Sequence, residues 1–258
     1  QASMPQSAAL KQDCYEGDYT RLRKAYEQMR AKLVEDGLGE MPQNIKMIEE
    51  SGPPSLATLR SWPKIVERFR AYARAQKLNP ADLLDRQALA EAVLAGQTGE
   101  EDLWSRVTLG RGTPQEAKEA PVLFYHSKLF GSILFAENCA NAVKLVEEIF
   151  PKGSVANAGA VMPQDGHAVR RNWYDEFMLF RRRGMTAFGT EMTWGQCGMP
   201  YYIGCQSESY QGAIARGVAK YHDVVLGPSH LLVSGVYGYN GDYVETASFA
   251  LASNGFTA

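Results

Sequence analysis

The stretch from residue 121 to residue 150, Pro121-Val122-Leu123-Phe124-Tyr125-His126-Ser127 through Val146-Glu147-Glu148-Ile149-Phe150, decides how the fold is read. Val122-Leu123-Phe124-Tyr125 is a short apolar run behind a proline, the pattern of a strand buried on both faces. Farther on, Cys139, Val143, Val146 and Ile149 recur at helical spacing, with Lys144, Glu147 and Glu148 opposite them. That periodicity predicts a helix over about 137–150.

The alternation continues downstream. Residues 154–161, rich in small side chains, read as a second strand, and 173–183 as a helix. Residues 185–189 read as a third strand, ending at Thr190-Glu191. Residues 209–221 are helical, with Tyr210, Ile214, Gly217 and Tyr221 on one stripe, and 231–236 make a fourth strand. Strands alternating with helices imply a parallel sheet, because parallel neighbours need crossover connections. Such a sheet is either doubly wound or closed into a barrel.

Upstream, the expected organisation is helical over 1–118, ahead of a β/α portion over 119–258. Tyr15, Tyr19, Leu22, Tyr26, Met29 and Leu33 fall on one face of an amphipathic helix. Ser51-Gly52-Pro53-Pro54 interrupts the chain, then Trp62, Ile65, Phe69 and Tyr72 repeat the stripe, and Asn79-Pro80 opens another short helix. Gly110-Arg111-Gly112-Thr113-Pro114 lacks a preceding strand and the third glycine of a dinucleotide loop, so it reads as a turn.

Composition narrows the function classes. With 45% hydrophobic residues, 22% charged residues and a net charge of −2, the chain is an ordinary globular one. It has no long-range field for nucleic acid or an anionic membrane. Arg181, Arg182 and Arg183 form the densest basic run, at a helix end where cations meet terminal carbonyls. No apolar stretch approaches the roughly 20 residues of a bilayer span, so no membrane span is expected. The first residue is Gln1 rather than Met, which a cleaved secretory signal would explain; the expected location is extracellular or periplasmic.

Cys139 is expected buried, and Cys197 with Cys205 would be the disulfide of an exported protein. No paired CxxC or HxH supports a metal, and no cofactor is expected. At the other end, Asp242 to Glu245 has the form of a capping box and Asn254-Gly255 that of a helix stop. Phe256-Thr257-Ala258 then resembles the opening of the third strand, Met185-Thr186-Ala187. The chain is expected to be part of a longer polypeptide, whose remainder would be a partner.

Ligands of parallel α/β folds bind at the carboxyl ends of the strands. That rule selects His126-Ser127, Asn157 with the loop through Asp165 and His167, Thr190-Glu191 with Trp194, and Tyr237 through Asp242. Trp194, Tyr201, Tyr202, Tyr237 and Tyr239 could stack on sugar rings or simply pack helices onto the sheet. Glu191 is the sharpest signal, since a carboxylate just after a buried strand is costly to desolvate unless it is paired or has work to do. Its plain alternatives are a helix cap or an ion pair with an arginine. His222 and His230 bracket a turn and read as structural. No GxSxG elbow, phosphate-cradling GxxxxGK[ST] loop or electropositive cysteine is present, which leaves carboxylate chemistry.

The segments Leu123-Phe124-Tyr125-His126-Ser127, Asn157-Ala158-Gly159-Ala160 and FRRRGMTAFGTEMTW (180–194), followed by RGVAKYHD (216–223), resemble bacterial glycoside hydrolases of the TIM-barrel type. The resemblance covers roughly the second half of the chain. It implies a (β/α) barrel, incomplete within this chain, on an exported protein that cleaves glycosidic bonds with two carboxylates. Glu191 matches the strand-end glutamate, with Thr190 where such enzymes often carry Asn, and Asp165 is the candidate partner. His126, Asn157, His167, Trp194, Tyr237 and Tyr239 would contact a carbohydrate substrate. One carboxyl group would protonate the leaving oxygen while the other attacks or activates water. The alternative is a non-catalytic carbohydrate-binding or assembly component.

Overall fold

The computed structural model describes residues 12–47, 54–157 and 176–188, with short stretches and single positions between 191 and 253. In chain order the elements are α1 (Gln12–Tyr15), α2 (Thr20–Glu35), β1 (Asn44–Lys46), α3 (Leu56–Arg60) and α4 (Pro63–Ala75). A 3-10 turn (Pro80–Leu83), α5 (Arg86–Leu94), α6 (Glu100–Arg106), α7 (Pro114–Glu119) and α8 (Pro121–Ile149) follow. Then come β2 (Val155–Asn157), α9 (Glu176–Arg181), β3 (Ala187–Phe188), β4 (Glu191–Met192), β5 (Val225–Leu226) and β6 (His230–Leu231).

The barrel expectation is overturned. The described residues are mainly helical, and their strands are only two or three residues long. Four of these form an open row in the order β1-β2-β3-β5, all parallel, and β4 pairs separately with β6.

The largest correction lies at residues 122–125, which are not a strand but the first turn of α8, a helix of 29 residues. The period explains why. Leu123, Ser127, Phe130 and Leu134 are buried at steps of four, three and four, while Tyr125 is 60% exposed. A doubly buried strand would hide Tyr125; a helix need not. Pro121 stands in the first turn, where its missing N–H loses nothing. Gly131 weakens a helix interior by about 0.5–1 kcal/mol relative to alanine. Here its small size has a use, because an added Cβ would stand 3.3 Å from Leu56 Cδ2 of α3.

Ser127 serves the same close packing. It is fully buried, and its Oγ accepts a hydrogen bond from the Gly110 N–H at 2.8 Å. Ser127→Ala should therefore leave a buried amide unpaired and cost about 1–3 kcal/mol. Urea melts of the two proteins check this, and equal midpoints would contradict it.

The two expected halves share one core. Tyr26, Phe69 and Val107 from the first half are buried in the same cluster as Phe135, Val146 and Ala156. α4 contributes Ile65, Phe69 and Ala73, with the Phe69 ring edge-on to Phe130 at 5.4 Å. The stripe from Tyr15 to Leu33 is split between α1 and α2 by Gly17, whose φ of +94° is a left-handed turn that favours glycine. β1 also rises from the region expected to be wholly helical. There Ile45 and Met47 are buried while Asn44 is exposed, an alternation of period two.

α8 is the central helix, packing against α2, α9 and β2. Ion pairs cross both helix seams: Arg23 to Glu148 at 2.7 Å, and Arg182 and Arg183 to Glu137 and Glu147 at 2.8 Å. Two of the three consecutive arginines thus bind the neighbouring helix. Residues 150–154 turn the chain from α8 into β2. α8 is about 43 Å long at 1.5 Å per residue, and the described part of β2 only about 10 Å.

By length and composition α8 is also sufficient to cross a bilayer, with a mean hydropathy of 1.2 in its most apolar window, contrary to the reading that no stretch comes near. However, 67% of that window is buried within the chain, as in the core helix of a soluble protein.

Candidate functional site at the carboxyl edge of the sheet

The parallel ladder sets the register. Lys46 pairs with Asn157, Asn157 with Ala187, and Ala187 with Val225. Thr186 pins the β2–β3 junction: its N–H donates to the Ala156 carbonyl at 2.9 Å, and its Oγ1 accepts from the Ala156 N–H at 2.8 Å. Lys46 and Asn157 are thus the last residues of neighbouring strands, side by side at the carboxyl edge.

Glu191 follows shortly after the end of β3, a strand flanked on both sides by β2 and β5. It lies in β4, in register with His230 of β6. His230, read from the sequence as a turn residue, is therefore the direct strand neighbour of Glu191. The signal that could have found it was its position one residue ahead of the apolar run Leu231-Leu232-Val233.

Other sequence candidates fall elsewhere. His126 does not end a strand. It lies in the second turn of α8, where its Nδ1 is 3.1 Å from the Tyr72 hydroxyl of α4 and its ring is edge-on to Tyr125. Asp165, His167, Trp194, Tyr237 and Tyr239 lie outside the described residues, as do Cys197 and Cys205. Cys14 and Cys139 are both buried. Desolvation pushes Cys14 up to about 11 and Cys139 higher, so neither is a ready nucleophile. Among the described residues, no three His, Cys, Asp or Glu side chains gather as a metal site.

The surroundings of His126 make a prediction. Burial lowers its pKa below the ordinary 6.5. Between 6.5 and the lower folded value, the unfolded chain binds a proton that the folded chain refuses. Stability should therefore fall as pH drops through that window, while above 6.5 this group contributes no dependence. Denaturation midpoints at about pH 7.5 and about pH 5 should differ less for His126→Gln than for the parent. An equal loss in both proteins would contradict this placement of the imidazole.

No protein-family model, curated protein or solved structure matches the chain.

Proposed function

We propose that the carboxyl edge of the parallel sheet is a carbohydrate-active site, with Glu191 acting as acid or nucleophile in the cleavage of a glycosidic bond. The observation that carries the reading is the position of Glu191, just beyond a strand with neighbours on both sides and in register with His230. Parallel α/β sheets place their ligands at this edge, since strand ends leave backbone groups and short loops free to converge there. The reading takes its substrate class from the resemblance of the 180–194 segment to glycoside hydrolases. Asn157, at the same edge, would supply hydrogen bonds to sugar hydroxyls.

A glycosidic cleavage needs a proton donor for the leaving oxygen and a second group opposite it. Glu191 would provide one of these, and Asp165, the candidate for the other, lies outside the described residues. The test is a hydrolysis screen over aryl glycosides and polysaccharides, repeated with Glu191→Gln. Turnover by the parent that is lost in the variant supports the reading. Binding without turnover would move the chain to the non-catalytic alternative, and unchanged turnover in the variant would remove Glu191 from the mechanism.

A further inference from the structure

We infer that His230 is the positioning residue of Glu191. Its cationic form holds the Glu191 carboxylate ionised, which fits that group to attack or to act as a base rather than to donate a proton. The inference stands on the parallel register of β4 and β6, in which Glu191 pairs with His230 and Met192 with Leu231. The chemical role rests on the reading of Glu191 as a glycosidase carboxylate; the charge partnership does not.

Neighbouring strands lie about 4.8 Å apart, and residues in register on a parallel pair share one face of the sheet. Glu191 and His230, each opening its strand, are therefore side by side on one face of the two-stranded sheet. That spacing falls within the range, about 4–6 Å, over which opposite charges favour each other's charged forms. The other two residues of the ladder, Met192 and Leu231, are apolar, so Glu191 and His230 are its only titratable groups. Two arginines ahead of β3 are engaged elsewhere: Arg182 pairs with Glu137 and Arg183 with Glu147, both at 2.8 Å. His230 stands where the sequence alone allowed an arginine as the cation beside Glu191.

The sign of the coupling assigns the role. An imidazolium beside a carboxylate favours the ionised carboxylate, and the carboxylate in turn favours the imidazolium. A proton donor needs the opposite environment, one that keeps its carboxyl group protonated near neutral pH. Glu191 therefore fits the nucleophile of a retaining enzyme or the base of an inverting one, and the second carboxyl group is the acid. In the retaining case a Glu191 oxygen bonds the anomeric carbon as the glycosidic C–O bond breaks, and the leaving oxygen takes its proton from the second carboxyl group. Water then attacks the glycosyl ester, returns a proton to that group and releases Glu191. A histidine makes the partnership dependent on pH, because the imidazole loses its charge near neutrality.

The test is an NMR titration of the histidine ring signals of the full chain, with the His230 signal identified by its loss in His230→Gln. In the parent, His230 should hold its proton about tenfold more tightly than an unperturbed imidazole, and in Glu191→Gln that excess should vanish. Glu191→Asp keeps the charge and should retain most of it. His126, on α8, should titrate alike in these proteins, which shows that the fold is kept. A parent His230 that holds its proton no more tightly than an unperturbed imidazole would overturn the proposal without recourse to any variant. An excess that survives in Glu191→Gln would overturn it as well. Where the glycoside screen gives turnover, His230→Gln should move the acid limb of the pH–rate profile towards neutral pH, and an unmoved limb would contradict the role drawn for Glu191. Titration and hydrolysis fail separately: an intact excess in a chain that cleaves no glycoside keeps the charge pair and removes only the glycosidase reading.

Discussion

Phe69→Ala should destabilise the protein by about 3–5 kcal/mol, the usual range for truncating a fully buried phenylalanine. The ring is 0% exposed and joins α4 to α8 through its edge-on contact with Phe130. It also stacks against Tyr72 at 6.2 Å between centroids. Removing it takes away transferred apolar area, leaves a cavity between two helices, and breaks an aromatic pair worth about 0.5–1.5 kcal/mol beyond its area. Against a typical domain stability of about 5–15 kcal/mol, that is a large fraction. The denaturant midpoint should fall with little change in slope. Tyr125→Ala is the informative companion. With 60% exposure, Tyr125 should tolerate truncation within about 0.5 kcal/mol. A loss at Tyr125 as large as that at Phe69 would return residues 122–125 to a doubly buried strand.

Glu191→Gln carries the other large effect. If Glu191 transfers the proton or attacks the anomeric carbon, the amide keeps the shape of the side chain but can do neither. Turnover should drop by about 10²-fold or more, the scale of acid–base contributions. Substrate affinity should change far less, because the variant retains hydrogen-bonding capacity at the same position. A drop confined to KM, with kcat unchanged, would mean that Glu191 holds substrate without reacting.

The sequence misled at residues 122–125 for a definable reason. Four consecutive apolar residues carry no period of their own, so strand and buried helix look alike over so short a window. The deciding evidence lay further along, in Phe130, Leu134, Phe135 and Asn138, which continue the spacing begun at Leu123. Gly131 and Ser132 obscured that continuity, because small polar residues resemble a loop when the helix packed against them is unknown. The opposite error occurred at Ile45 and Met47, where a genuine alternation is only a few residues long and stands among helical stripes.

Other features were plain. The burial of Cys139, the stripe of Ile65 and Phe69, and short strands at 155–157 and 187–188 all follow from local patterning. Of the site, the short strand ahead of Glu191 could be read, but Glu191 does not end it: that strand stops at Phe188, and Glu191 opens β4, which pairs separately with β6. His126 was misplaced along with the strand assigned before it. The adjacency of Glu191 and His230 could not be read, since it depends on pairing between segments far apart in sequence.

The account rests on α8 being one uninterrupted helix from Pro121 to Ile149, since that helix organises α2, α4 and α9 around it. Backbone chemical shifts of the labelled protein measure this residue by residue. Helical carbon shifts and strong sequential amide contacts should run unbroken from Leu123 through Phe135 into the segment around Cys139. Extended shifts at Val122 to Tyr125, followed by a loop before a separate helix near Glu137, would contradict it.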